Sequence, residues 1–107
     1  MAPLLHVVAL KFSPVYSSER IIQHFEEEVA LKRRMPNLVE SWSYKRNLSL
    51  TSRPDVNGGC GLVVLCNLYD ESMLETYLAH PEHVEVGRIQ NPMLEGKFVL
   101  DVHGRAE

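Results

Sequence analysis

The sequence predicts an α+β fold of the ferredoxin-like type, with a four-stranded antiparallel sheet and helices on one of its faces. Segments with strand-like and helical periodicity follow the order β-α-β-β-α-β, the split βαβ pattern, with an extra short helix before the last strand. The first and third strands are apolar on both faces, and helices can cover only one of them. A second copy that packs sheet against sheet would cover the other face. We therefore predict a homodimer that closes an α+β barrel.

The first strand spans residues 4–12, LLHVVALKF. Ser17 is the predicted N-cap of the first helix, which continues at helical spacing to about Arg34 and ends before Pro36. A polar, turn-rich segment over residues 49–59 forms a loop. The other elements are predicted as strands over 38–48, 61–69 and 97–103, and as helices over 71–79 and 81–90.

The polar surface of the first helix includes the run Glu26-Glu27-Glu28, which we interpret mainly as a solvated helix face. His24 on the same helix and His103 near the C-terminus are interpreted as surface residues. In the second strand, Trp42 and Tyr44 share one face with Glu40, while Val39 falls on the other.

The segment from Tyr77 to His83, YLAHPEH, carries the most chemistry. Pro81 begins a helix and pushes His80 out of helical conformation, so that one helix ends and another starts there. The positive end of the new helix disfavours protonation of His83, and a neutral histidine can act as a general base. An alternative is purely structural: His80 caps the turn and His83 packs. The i, i+3 spacing of the two histidines lacks a third ligand, so we predict no metal site.

The composition and net charge of the sequence argue against several classes of binding partner. The 107 residues have a net charge of −3 and no basic stripe, which argues against nucleic acid and anionic membranes. The sequence has neither a membrane-spanning stretch of about 20 apolar residues nor a signal-peptide start. We expect one domain over residues 1–107. Cys60 and Cys66 lie about 20 Å apart along one predicted strand, so two free thiols and a cytoplasmic location are expected.

These residues together resemble the stress-responsive A/B barrel domain family. The resemblance spans about residues 4–103 and depends mainly on the run from Tyr77 to Val84, YLAHPEHV, with HVVALKF at the first strand in support. It implies a small homodimer. The family includes polyketide cyclases of the olivetolic acid cyclase type, which perform an intramolecular aldol condensation without metal or organic cofactor. The resemblance thus implies no cofactor here.

The same resemblance implies roles for individual positions. Tyr77 and His83 fall on the catalytic pair of those cyclases. Four further positions fall on or near their substrate pocket: His6, Glu28, Leu62 and Gly87. Glu28 stands where the cyclase has a tyrosine, and Leu62 where it has a histidine, so a different substrate is expected. A structural alternative for His6 is a core histidine hydrogen-bonded to a helix.

Three functions remain open from the sequence. The first is a cofactor-independent cyclase or lyase that acts on a polyketide or another polyoxo compound, with a Tyr-His pair for proton transfer between sheet and helices. The second is a non-catalytic, ligand-binding or stress-protective homodimer. The third is a cofactor-free monooxygenase of the wider barrel superfamily.

Overall fold

A computed structural model describes residues 2–105, except for the side chains of residues 31, 32, 54 and 56. Its four strands form one antiparallel sheet in the order β2-β3-β1-β4. The predicted α+β, ferredoxin-like fold is confirmed. The strands are β1 (Leu4–Phe12), β2 (Val39–Arg46), β3 (Leu62–Leu68) and β4 (Leu94–His103).

The helices lie where the prolines and caps predict them, with two additions. The Ser17 hydroxyl accepts from the Arg20 N–H and caps the first helix, which stops at Val29. A short second helix follows Ala30, so the predicted single helix to Arg34 is divided in two. A further short helix forms inside the predicted loop. The helices are α1 (Ser18–Val29), α2 (Leu31–Arg34), α3 (Pro54–Asn57), α4 (Leu74–Ala79) and α5 (Pro81–Gln90).

The core lies between the sheet and the helices. Phe25 of α1 is fully buried and stacks on Tyr44 of β2, with ring centroids 4.6 Å apart and planes 20° apart. Trp42 and Phe12 also pack their rings against Phe25, which makes an aromatic cluster at this end of the sheet. Aliphatic side chains of the central strands complete the core: Leu4, Val8, Leu10, Val64 and Leu68.

The other face of the sheet is apolar and carries no helix. On β4, Phe98, Leu100 and Val102 are 61%, 62% and 45% exposed. Each is paired across the β1–β4 ladder with an apolar residue of β1: Ala9, Val7 and Leu5. We call this surface, with the outward side chains of β3, the open face. Its exposure matches the two-sided hydrophobicity from which the homodimer was predicted.

Three expectations were wrong in detail. A register shift between Val39 and Ser41 places Val39 in the core, on the face of Trp42, because the extra residue reverses the alternation. His24 is buried, not on the surface, because its Nε2 has a buried hydrogen-bonding partner, Oε1 of Gln90 on α5, at 2.9 Å. Glu28 is likewise buried, although the run that contains it was interpreted as solvated.

Within the part of the chain that the structure describes, no helix is long and apolar enough to cross a membrane.

Candidate functional site

The joint between α4 and α5 builds the site. His80 has φ −62° and ψ 134°, an extended conformation between two helices, as the following proline predicts. Its Nδ1 accepts from the Glu82 N–H at 3.1 Å and caps α5. The turn folds α5 back beside α4, which brings the His83 ring to 4.5 Å from the Tyr77 ring. The two residues predicted as catalytic are therefore in contact.

Tyr77 is buried at the centre of this group. Its ring packs edge-on against His6 of β1 at 5.7 Å, and its hydroxyl interacts with the Cys66 thiol of β3. Burial is the main cause that raises the pKa of Tyr77 far above its ordinary value. The phenol therefore stays protonated at neutral pH. Because sulfur is a weak hydrogen-bond acceptor, the hydroxyl can turn to a better acceptor at little cost.

His83 has the protonation state that a base needs. Burial lowers its pKa, and the nearby His6 and Lys97 lower it further, while a hydrogen bond to the backbone opposes them. The predicted direction is thus found, but burial rather than the helix end is the largest cause. Nδ1 lies 3.2 Å from the Leu78 carbonyl oxygen, so Nδ1–H donates there and Nε2 is left with a free lone pair.

A second histidine pairs with a carboxylate that sequence reasoning missed. His6 Nδ1 lies 2.6 Å from Asp101 Oδ1 on β4, and the two residues are direct neighbours in the β1–β4 register. His6 is buried, and its partner is a strand residue rather than a helix. The one signal in the sequence was a single acidic residue inside the otherwise apolar run FVLDV. Without the register, that residue could not be assigned a partner.

These side chains line one pocket of about 140 Å³ between the sheet and the helices α1, α4 and α5. An engineered protein cavity of about 150 Å³ binds benzene, which sets the scale of a ligand that this pocket can enclose. Five of the six predicted site residues lie in its wall: His6, Glu28, Tyr77, His83 and Gly87. Residues that the sequence did not single out also line it, among them Gln90, Lys97 and Asp101.

Leu62 lies elsewhere. It lines a larger, mainly apolar cleft of about 740 Å³ between α1, β2 and the segment that precedes β3. Phe25 and Tyr44 of the aromatic cluster form part of the wall of that cleft. The structure therefore does not bring Leu62 to the Tyr77–His83 pocket, and its role in substrate binding stays a prediction.

Glu28 is the one acidic side chain among the six predicted site residues. Its side chain is 5% exposed, and burial raises its pKa to about 8, against a smaller lowering by Lys97. Its carboxyl is therefore mostly protonated at neutral pH. Among residues 2–105, no group of three or more His, Cys, Asp or Glu side chains is arranged to hold a metal ion. The absence of a cofactor remains a prediction.

Comparison with solved structures places the fold among known dimers and enzymes. A hydroxynitrile lyase from Passiflora edulis superposes with a TM-score of 0.84 at 16% identity, over 98% of this chain and 95% of that chain. A dimeric ferredoxin-like protein of unknown function from Thermobifida fusca gives 0.75 at 19%, over 94% and 90%. A protein provisionally named an antibiotic biosynthesis monooxygenase, from Bacteroides thetaiotaomicron, gives 0.68 at 15%, over 94% and 87%. At these identities the likeness shows the fold alone.

No curated protein matches the sequence significantly. The family model described as Stress Responsive A/B Barrel Domain matches residues 4–103, nearly the whole chain. This match agrees with the βαββαβ order, the open apolar face and the YLAHPEHV run. The chain therefore belongs to the stress-responsive A/B barrel domain family.

Proposed function

We propose that this protein is a cofactor-independent proton-transfer enzyme of the cyclase or lyase type, which acts on a small polyoxo compound or on the reactive end of a longer one. The observation that carries the proposal is the contact between Tyr77 and His83 inside the pocket. A neutral imidazole with a free Nε2 lies against a phenol that stays protonated. These are the two groups that carbon–acid chemistry requires.

In the proposed reaction, His83 Nε2 removes a proton from a carbon next to a carbonyl group. Negative charge moves to the carbonyl oxygen, and the Tyr77 hydroxyl donates a hydrogen bond to it there. The enolate then attacks a second carbonyl carbon, or the same groups run the bond cleavage in reverse. Aldol cyclisation and the cleavage of a hydroxynitrile both need a base and a hydrogen-bond donor at a carbonyl or alkoxide oxygen. The fold likeness to a hydroxynitrile lyase is therefore compatible with this proposal.

The volume of the pocket limits the size of the group that it can enclose. About 140 Å³ encloses a group of benzene size, which is smaller than a complete tetraketide thioester. A longer substrate would enter the pocket with its reactive carbonyl groups only. A different substrate is also favoured by Glu28, which lines this pocket at a position where the cyclases of the family have a tyrosine.

Other observations support our proposals on assembly and location. We propose that the open face packs against a second copy, as the dimeric fold relatives suggest. The two free, buried cysteines, Cys60 and Cys66, are compatible with the reducing cytoplasm.

The test is hydrogen exchange at carbon. Heptane-2,6-dione is incubated with the protein in D₂O at neutral pH, and proton NMR follows the loss of the signals next to the carbonyl groups. His83→Ala should slow this exchange by roughly 10²- to 10⁴-fold, since it removes the base. Tyr77→Phe should slow it by about 10²-fold, since it removes one donor to the enolate oxygen.

His103→Ala is the matched control, because His103 is a histidine whose side chain is 87% exposed. It should exchange like the wild type. A wild-type rate equal to that of His83→Ala would contradict the proposal and leave the ligand-binding dimer as the better function. Oxygen consumption with any substrate would instead favour the monooxygenase.

A further inference from the structure

Glu28 differs from its two neighbours in the acidic run of α1. Glu26 and Glu27 are exposed, as charged helix residues usually are, whereas Glu28 is 5% exposed and lines the Tyr77–His83 pocket. Burial of a carboxyl group is unfavourable unless the group is paired or neutral. The position of Glu28 therefore requires an explanation beyond helix solvation.

The fold itself does not provide the partners that a buried carboxyl needs. Among the described residues, Oε2 is buried without a hydrogen-bond partner. Oε1 lies 3.8 Å from His24 Nε2, beyond hydrogen-bonding distance, and that nitrogen lies 2.9 Å from Gln90 Oε1. A buried polar atom without a partner needs an explanation. Because Glu28 lines the pocket, a polar atom of a ligand bound there can supply the missing partner.

Resting on the proposed function, we propose that Glu28 is a catalytic acid: its carboxyl binds a second substrate oxygen and delivers its proton to the alkoxide that forms there. His83 takes the proton from the nucleophilic carbon. That carbon forms a bond to the second carbonyl carbon, the carbonyl π electrons move to oxygen, and the oxygen takes the proton of Glu28. The product alcohol has the same atoms as the substrate, and Glu28 and His83 are left as carboxylate and imidazolium.

The acid strengths fit this division of roles. Glu28, with a pKa of about 8, holds its proton at neutral pH and is a far stronger acid than an alcohol. Tyr77, whose pKa lies far above its ordinary value, can donate a hydrogen bond but gives up its proton much less readily. Charged or titratable groups near Glu28 come from the helices and strands packed around it. They are His24 on its own helix, Arg34 on α2, Tyr77 on α4, His83 and Glu85 on α5, His6 on β1, Cys66 on β3, and Lys97 and Asp101 on β4.

A path for returning the proton also exists. Glu28 lines a second, surface cleft of about 340 Å³, whose wall includes His24, Arg34 and Glu85. Glu28 thus lines both the pocket and this cleft. In the proposed mechanism, its carboxylate regains a proton from the side of the cleft between turnovers. The substrate class that follows is a compound with two carbonyl oxygens, one for Tyr77 and one for Glu28.

The experiment uses one probe for two steps. Heptane-2,6-dione exchanges its α-protons in D₂O through the Tyr77–His83 pair alone. Its aldol cyclisation to the cyclic hydroxyketone, followed in H₂O by the proton NMR signal of the new tertiary methyl group, needs the second oxygen as well. Glu28→Gln keeps the shape of the side chain and removes its acidic proton. Its cyclisation should fall by roughly 10²- to 10⁴-fold, a much larger loss than that of its α-proton exchange. The control Glu27→Gln, on the exposed neighbour, should match the wild type in both.

A second measurement needs no variant: wild-type cyclisation should decline above a pH of about 8, as Glu28 loses its proton. Cyclisation by Glu28→Gln as fast as by Glu27→Gln would overturn the assignment of Glu28, and so would wild-type exchange without cyclisation. Absence of wild-type exchange would overturn the proposed function itself.

Discussion

The two faces of the sheet distribute polar and apolar groups in opposite ways. The covered face buries four side chains with costly polar atoms near one another, His6, His24, Glu28 and Gln90. The open face exposes large apolar side chains such as Phe98 and Leu100 to water. A fold selected only for the stability of one chain would be expected to do the reverse. On the proposed function and assembly, the buried polar groups serve the chemistry, and packing of the open face against a second copy offsets the stability that they cost.

The largest expected effect is the loss of the dimer when a charge is placed on the open face. Leu100→Asp would place two unpaired charges in the interface of each dimer, at about 3–5 kcal/mol each. Sedimentation velocity should then show monomers at micromolar concentration. Val84→Asp is the control, because Val84 is similarly exposed, at 55%, but lies on α5. A wild-type monomer, or a Leu100→Asp dimer as tight as the wild type, would exclude the open face as the interface.

The next-largest expected effect is on the pH dependence of stability, and it is caused by Glu28 on the covered face. The folded chain holds this proton up to a pH of about 8, the unfolded chain only to about 4.5. The folded state therefore binds more protons in this window, and the free energy of unfolding falls as the pH rises through it. Glu28→Gln binds no proton and removes this slope. Its stability relative to the wild type should grow across the window by up to about 5 kcal/mol.

Urea unfolding at about pH 5 and about pH 8.5 measures that difference. Glu27→Gln, which changes an exposed glutamate, should keep the wild-type slope. Equal slopes in Glu28→Gln and the wild type would mean that Glu28 is ionised in the folded chain.

The smallest effect concerns His83. Its folded pKa lies below 6.5, so its contribution to stability is present above that pH and is lost as the pH falls through the folded value. An NMR titration should find the His83 signal, identified by its absence in His83→Asn, with a midpoint below 6.5. A midpoint above 6.5 would remove the case for a neutral base at pH 7.

Local sequence features were sufficient to predict much of the fold and part of the site. Pro81 marks both the end of α4 and the start of α5, because its ring restricts its own backbone and that of His80. The two-sided apolar pattern of β1 and β3 indicated the open face, because backbone geometry fixes the alternation of side chains along a strand. His83 was identified as a candidate base from its place at the start of α5, whereas the catalytic pairing with Tyr77 was implied by the family resemblance.

What could not be predicted depends on contacts between distant segments. Asp101 becomes important only through the register that pairs it with His6, 95 residues away. His24 and Glu28 are buried because of how α1 is rotated on the sheet, and that rotation is set by Phe25 in the aromatic cluster. Apolar residues on the same helix, Ile22 and Val29, are consequently 46% and 43% exposed. Helical spacing alone would place them on the same face as Phe25.

The single residue between α4 and α5 has a consequence for how this site can vary. Tyr77 and His83 sit on different helices, and only His80 separates the last residue of one from the first of the other. One inserted residue after Pro81 would rotate His83 by about 100° around the axis of α5. The Tyr77–His83 contact is therefore intolerant of insertion and deletion, whereas the walls of the pocket can change one side chain at a time. In the proposed enzyme, substrate preference can therefore change through the walls of the pocket, while the spacing of the Tyr77–His83 pair is fixed by chain length.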